Sequence, residues 1–583
     1  MSRLPVQVRS SAPAKGKLLV INELKERLYH YVGRLKEVTA DLDNLTVEEP
    51  KNKSFGDLST NVAMILAPVL KKNPMDIAGK IKEEEISKWD QLEDISIVKP
   101  GFINFNLKQD FIKTALAEII KKGEKFGFNK SGGGGNIQLE YVSSNPTGDL
   151  HIGHGRWGAL GDSLANLYAA NGYKVFREYY VNDYGSQAEK FSDCARCVYL
   201  RHFGKEDIKY PEDGYPEEVV SLAVERLINR YDNRFIVIKD GKKDIKAESF
   251  KKEIIKIMVS YIGETLALMG VEYDRWFYES CLYKDSNFKK LISDLEKKDA
   301  VYNKDGALWF KASVYANDKD RVLVRKDGNP TYFASDILYM KDKVKRGYDK
   351  LFYILGADHH GYVERLRAIG KAFELEEDRI MVIIGQMVKL TDSGRTLKMS
   401  RRKGMLYHLR DLIEEVGKDA VRYFFSMNSF DTPMEFDVDL AKQKSNQNPV
   451  YYVQYAHARI ESIIKNIRES NPANLDIDKY DLDKADTSKL KFKNIYEKQL
   501  AKTMILYPDT VYNGCRNNAP HLITQYLYRL ASEFHYFYNN YRVINGEKDG
   551  AAVDLDRFVL ILLVRRVLRN ALRLLNVSAP KKM

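Results

Sequence analysis

What most constrains this chain is a change of hydrophobic period that begins at Asn136. Ile137–Val142 reads as a buried strand, Gly155–Ala170 as a helix, Lys174–Val181 as a strand and Ser186–Phe203 as a helix. Parallel neighbours need a crossover long enough to hold a helix, so this alternation predicts a parallel sheet covered by helices. The pattern breaks from Gly204 to Phe250, where charge and Pro/Gly turns increase, and resumes with buried strands at Leu351–Leu355 and Ile380–Ile384. A single sheet over 130–435, split by an insertion around 204–250, accounts for the break.

The flanks differ in kind. Leu18–Lys36 and Phe55–Ile81 carry apolar residues at helical spacing, Pro100-Gly101 marks a turn, and Phe102–Leu107 alternates as a strand does, which predicts a small α+β module over 18–125. Residues 1–17 are basic, without an acidic side chain, and read as a flexible tail, a transit peptide being the alternative. The run Ser131–Gly135 (SGGGG) precedes its strand and lacks the Gly-Lys-Ser/Thr ending of a phosphate loop, so it reads as a linker. From 440 to 583 glycine thins out and helical periodicity dominates, predicting an all-helical domain. A length of 583 residues suits such a multidomain chain.

Composition excludes several classes. The longest apolar run, Phe558–Val564, ends at Arg565 and Arg566, far short of the roughly 20 residues that cross a bilayer, so no membrane span is expected. Four cysteines point to a reducing compartment, and a cytoplasmic location is expected. Cys194 and Cys197 form a CxxC without a second pair, so no structural metal is expected. A net charge of +12 suits an anionic partner without proving one.

The most informative segment is Asn145-Pro-Thr-Gly-Asp-Leu-His151-Ile-Gly153-His154-Gly155, between a strand and a helix. That is where a parallel sheet holds ligands, and a helix start offers free N–H groups to phosphates. Gly153 and Gly155 would let the backbone approach a flat adenine, and His151 and His154 can donate to phosphate oxygens. Taken alone, the tetrapeptide is equally compatible with a glycine-rich helix start holding two satisfied histidines. A second string, Lys398-Met-Ser400-Arg401-Arg402, follows a strand and supplies cations for the charge on a leaving pyrophosphate.

The two strings resemble the signature sequences of class I aminoacyl-tRNA synthetases, a Rossmann-like family. The first matches in full, whereas the second has Arg401 where lysine is usual. Some arginyl enzymes lacking that lysine place one just before the first histidine, but Gly148 stands there, so Arg401 is expected to supply the charge. Glu140–Gly148, Arg177–Asp183, Pro330–Asp336, Gly356–Tyr362, Asn448–Arg459 and the ending Val577–Met583 all look like the arginyl-tRNA synthetase family, and the likeness runs from about residue 18 to the end. It implies a Rossmann-like catalytic domain, an N-terminal domain touching the outer corner of tRNA, and a helical anticodon-binding domain. Arginine, ATP with Mg2+ and tRNA(Arg) are the implied partners, with activation dependent on bound tRNA, and the protein is expected to be a monomer.

The resemblance also assigns residues. His151, His154, Lys398, Ser400 and Arg401 would carry the chemistry, and Gly153, His154, Gly356, Asp358, His359 and Lys398 would bind ATP. Tyr332 and Asp336, four apart on a predicted helix, would take the guanidinium, with Glu140 close by and with Asn145 and Gln386 at the α-amino and carboxylate end. A planar fork of donors is well held by carboxylates and a phenol, which agrees with that set. Arg565, Arg569 and Arg573 form a basic helical stripe that reads as a solvated face or an RNA contact, and Tyr526–Tyr541 is dense in aromatics. Tyr452, Tyr455, Tyr538 and Met583 are the candidates for anticodon contacts.

Overall fold

In the computed structural model, the residues described are 19–35, 42–50, 52–239, 242–284, 286–359, 361–392, 395–397, 407–472, 474–545 and 552–583. At the centre lie β1 (Asn136–Tyr141), β2 (Lys174–Val181), β3 (Arg275–Tyr278), β4 (Lys350–Gly356) and β5 (Ile380–Gly385). They form one all-parallel sheet in the order β3-β2-β1-β4-β5. The order reverses between β1 and β4, so a crevice opens beyond their carboxyl ends, where such sheets hold ligands. Helix α1 (Ile152–Ala170) follows β1 and is buried along nearly all its length, as a helix of small and apolar residues on every side must be. Gly161 serves this packing, since a Cβ there would lie 2.7 Å from the Tyr141 ring.

The chain leaves the sheet twice. After β2, α2 (Ser186–His202) packs with helices Glu217–Tyr231 and Ala247–Leu268 and with the hairpin Ile236–Lys239/Lys242–Ile245, so the 204–250 segment is largely regular structure. After β3, a three-stranded antiparallel sheet (Val301–Lys304, Ala307–Phe310, Arg321–Val324) precedes α3 (Tyr332–Arg346). Its strands are only four residues long, too short to register as a period in the sequence. Helix α4 (Tyr362–Ala372) joins β4 to β5.

At the N-terminal end, helix Val20–Gly33 precedes a four-stranded antiparallel sheet whose strands include Leu58–Thr60 and Phe102–Leu107. Phe55–Ile81, read as helical, contains that short strand before helices Val62–Leu70 and Pro74–Glu84. The glycine run is fastened, not slack: Gly132 N–H donates to Asn171 O (2.8 Å) and Gly134 N–H to Gly172 O (3.1 Å). A Cβ on Gly132 would lie 2.4 Å from the Tyr173 ring.

At the C-terminal end are α5 (Pro449–Ser470), α6 (Tyr507–Arg516), α7 (His521–Asn540) and α8 (Leu555–Leu574). The N-terminal module docks on helix Ile495–Ile505 through ion pairs Asp57–Lys502 and Glu93–Lys498 and on α7 through Glu49–Arg529. Asp509 of α6 also accepts from the backbone N–H (2.9 Å) and the amide (2.7 Å) of Asn22, which sits in the first turn of helix Val20–Gly33. A carboxylate is thus supplied across the domain boundary to a helix start that has no side-chain cap of its own. Among the described residues, no helix is long and apolar enough to cross a membrane.

Candidate active site

The loop leaving β1 is strained and firmly held. Val142 and Ser143 both adopt positive φ (72° and 42°), a region disfavoured for a β-branched residue. Tyr179 of β2 fixes the loop through its hydroxyl, which donates to Ser144 O (3.0 Å) and receives Ser144 N–H (3.0 Å), while Tyr180 N–H donates to Ser143 Oγ (3.1 Å). This geometry delivers Asn145 to the crevice. Its amide donates to Gln187 Oε1 (2.6 Å) and faces the Asn182 amide at 3.0 Å.

Helix α1 then starts with a reciprocal cap. His154 N–H donates to His151 Nδ1 and His151 N–H to His154 Nδ1, both at 3.3 Å, and the rings stack with centroids 3.6 Å apart. An Nδ1 that accepts leaves the proton on Nε2, so each ring is the tautomer that carries an Nε2–H donor. Burial and the neighbouring His151 hold His154 well below the usual imidazole range, so it stays neutral. Gly153 is required by this fold-back, because a Cβ there would lie 2.9 Å from His151 Cε1. Gly155 also makes room for packing: a Cβ there would lie 2.3 Å from Leu409 Cδ1 and 3.0 Å from Phe425 Cε2.

The same helix secures the end of β5. Arg156 is fully buried, and its guanidinium donates to Gln386 O (3.0 Å), Ser429 O and Thr432 O (both 2.7 Å). Gln386 N–H donates to Phe430 O (2.9 Å), so this candidate is held at the rim by its backbone. Gly356 and Gly385 are register partners at the carboxyl ends of β4 and β5. His359 lies edge-on to Tyr362 at 5.1 Å, in the turn Ala357–His359 that also contains Asp358. Lys398, Ser400 and Arg401 lie outside the described residues.

Helix α3 brings acid to the crevice. Tyr332, half exposed, has its hydroxyl 3.1 Å from Ser186 Oγ at the start of α2. Asp336, one turn on, lies 3.5 Å from Arg365 Nη1 and has an oxygen that is buried without a hydrogen-bond partner among the described residues. Burial pushes Asp336 up to about 7, despite Arg365 and with the charge of Glu140 adding to the rise. Glu140 itself gives Oε2 to the buried Lys343 (2.5 Å), whose ammonium sits over the Tyr353 ring at 3.7 Å.

One member of this cluster was not expected. Glu279, just beyond β3 and almost fully buried, is also pushed up to about 7 by burial, with the charges of Asp336 and Asp183 adding to the effect. The Asn182 amide lies 2.7 Å from its Oε2. The one sequence signal is a lone acid in the aromatic stretch Arg275-Trp-Phe-Tyr-Glu-Ser-Cys-Leu-Tyr283. Glu140, Glu279 and Asp336 thus gather around Tyr180, an acid-rich pocket suited to a cation with several donors.

In the helical domain, Tyr452, Tyr455, Tyr528 and Tyr538 lie along the seam of α5 and α7. Tyr452 meets Tyr528 (5.2 Å) and His535 (4.5 Å), and Arg459 lies over Tyr455 (4.6 Å) and Tyr538 (4.4 Å). Tyr528 and Tyr538 present open faces, and Met583 is exposed at the end of a tail held to α5 by Pro580 O at 2.8 Å from His457 Nδ1. The arginine stripe of α8 is engaged in ion pairs: Arg569 and Arg573, both half exposed, each reach Glu124 (3.0 Å), Arg566 reaches Asp483 (2.8 Å), and Arg565 reaches Glu461 (3.2 Å).

Comparison with known proteins agrees with this layout. Three family profiles match: the arginyl tRNA synthetase N terminal domain at residues 22–107, the class I (R) tRNA synthetase catalytic domain at 115–462, and the DALR anticodon binding domain at 453–583. The arginine–tRNA ligase of Caldanaerobacter subterraneus is 43% identical over 93% of this chain and 94% of its own length. That of Bacillus subtilis is 40% identical over 93% and 95%. The solved Thermus thermophilus arginyl-tRNA synthetase superposes with a TM-score of 0.72 at 21% identity, covering 97% of this chain and all of that one, so it shares the fold. With profiles spanning all three regions and relatives this similar over nearly its whole length, the chain belongs to the arginyl-tRNA synthetase family.

Proposed function

We infer that the protein is an arginine–tRNA ligase. The carboxylate of arginine attacks the α-phosphorus of ATP, forming arginyl-adenylate and releasing pyrophosphate; the 3′-terminal ribose hydroxyl of tRNA(Arg) then takes the arginyl group and AMP leaves. The observation that carries this reading is the acid-rich cluster of Glu140, Glu279 and Asp336 gathered around Tyr180, in the sheet whose β1 leads into the paired histidines of α1. Asp336 and Glu279 would receive the guanidinium with Tyr332 at its edge, and Glu140 would complete the negative field. Asn145 and Gln386 would orient the α-amino and carboxylate end.

The Nε2–H groups of His151 and His154 would donate to phosphate oxygens as charge builds there, at no reorganisation cost because the rings are already locked. Gly153, Gly356, Asp358 and His359 would receive the nucleotide, and Lys398, Ser400 and Arg401 the departing pyrophosphate. Magnesium would arrive on the triphosphate oxygens, hard ligands of the kind it prefers. Among the described residues there is no cluster of three or more potential metal ligands.

The chain divides into modules near residues 125 and 440, with Tyr452, Tyr455, Tyr538 and Met583 facing the anticodon. It works in the cytoplasm as a monomer, and activation waits for bound tRNA. The test is charging of total tRNA with each labelled amino acid, in the presence of ATP and magnesium. Arginine alone should be incorporated, and charging with any other amino acid would refute the assignment.

A further inference from the structure

The pocket already contains a guanidinium of the protein's own. Arg365 of α4 stacks over Tyr362 at 3.9 Å, with Phe333 at 5.9 Å, and only 16% of its side chain is exposed. Its Nη1 stands 3.5 Å from Asp336 Oδ2, yet the contact is not closed, since Asp336 Oδ2 and Arg365 Nε are both buried without a hydrogen-bond partner among the described residues. The other groups facing Asp336 are Glu140 from β1, Tyr180 from β2, Glu279 and Tyr283 from the turn after β3, Arg321, Tyr353 from β4 and Tyr362 from α4. Of the cations, Lys343 is bound to Glu140 and Arg321 is held bidentately by Asp318. Arg365 is therefore the cation nearest to Asp336.

We propose that Arg365 is a positioning residue that keeps Asp336 ionised, so that incoming arginine meets a carboxylate and not a carboxylic acid. The proposal rests on reading Asp336 as the partner of the substrate guanidinium. Two neighbouring carboxyls and the lack of water favour the protonated form, and Asp336 stands near 7 even with Arg365 beside it. Removing a cation at this distance raises such a group by about one pH unit or more. Substrate arginine keeps its charge throughout, so the pH dependence of its side-chain binding belongs to the pocket.

The experiment is calorimetric binding of L-arginine to the full chain with tRNA present, from about pH 6 to about pH 8.5. Wild-type affinity should fall below a midpoint near neutrality, by about tenfold per pH unit for each of Asp336 and Glu279 that takes up a proton. In R365M and R365Q that midpoint should move up by about one unit or more, whereas R365K, which keeps a cation, should leave it near the wild-type position. An unmoved midpoint in R365M and R365Q overturns the proposal, and R365Q carries the test alone should R365M fail to fold. D336A separates the two levels of the claim. Lost arginine binding in D336A together with an unmoved midpoint in the Arg365 variants refutes only the role of Arg365, whereas wild-type binding by D336A removes the pocket reading and the proposal with it.

Discussion

Helix α3 carries two clusters of buried charge that differ in a single respect. At its C-terminal end Arg346 grips Glu178 with both nitrogens (2.5 and 2.8 Å), and the same carboxylate accepts from Tyr339 (2.6 Å) and Gln138 (2.7 Å). Lys343 is likewise matched to Glu140. At the N-terminal end Asp336 has one loosely placed cation, Arg365, while Glu279 meets the Asn182 amide and the charges of Asp336 and Asp183, and both acids are pushed up to about 7. Glu178 moves the other way, held below the ordinary carboxylate range by Arg346 and Lys343 against its burial. Glu178 and Glu279, both almost fully buried, therefore sort by their charged partners. The closed cluster fixes the helix to the sheet, and the open one is left for a ligand.

That contrast can be broken from either side. The largest effect is expected at the closed end, where R346A strands a buried carboxylate and should destabilise the catalytic domain by about 3–5 kcal/mol in chemical unfolding, since removing one partner of a buried pair costs far more than the pair contributes. An R346A protein with wild-type stability would mean that Glu178 is not closed by Arg346. At the small end stands the arginine stripe of α8, whose contacts to Glu124 are half exposed. R573A should shift stability by no more than about 1 kcal/mol, as exposed ion pairs do. A loss of several kcal/mol would show that this seam between the terminal domains bears more than its exposure suggests.

The same distinction explains what could be read in advance. Four of the five parallel strands, α1 and the paired histidines were legible because hydrophobic period and the residue types in the β1–α1 turn act locally, whereas the four-residue β3 (Arg275–Tyr278) is too short to show a period. Tyr332 and Asp336 were legible because a helix repeat puts them on one face. Glu279 was not, since no local pattern tells a buried acid that is matched from one that is open. The packing role of Gly155 was hidden for a related reason: a Cβ there would meet Leu409 and Phe425, which are remote in sequence. The partners of the α8 stripe were not legible, because Glu124 and Asp483 reach these arginines only through the tertiary fold.

The central claim is that the Asp336 carboxylate, backed by Glu279, selects a cation, and the most direct test is a shape-matched substrate without the charge. L-citrulline replaces one guanidinium nitrogen by oxygen and is neutral. Competing against labelled arginine in tRNA charging, it should bind about 100-fold more weakly or worse, the penalty for leaving buried charges unpaired. Citrulline binding within a few fold of arginine would contradict the account.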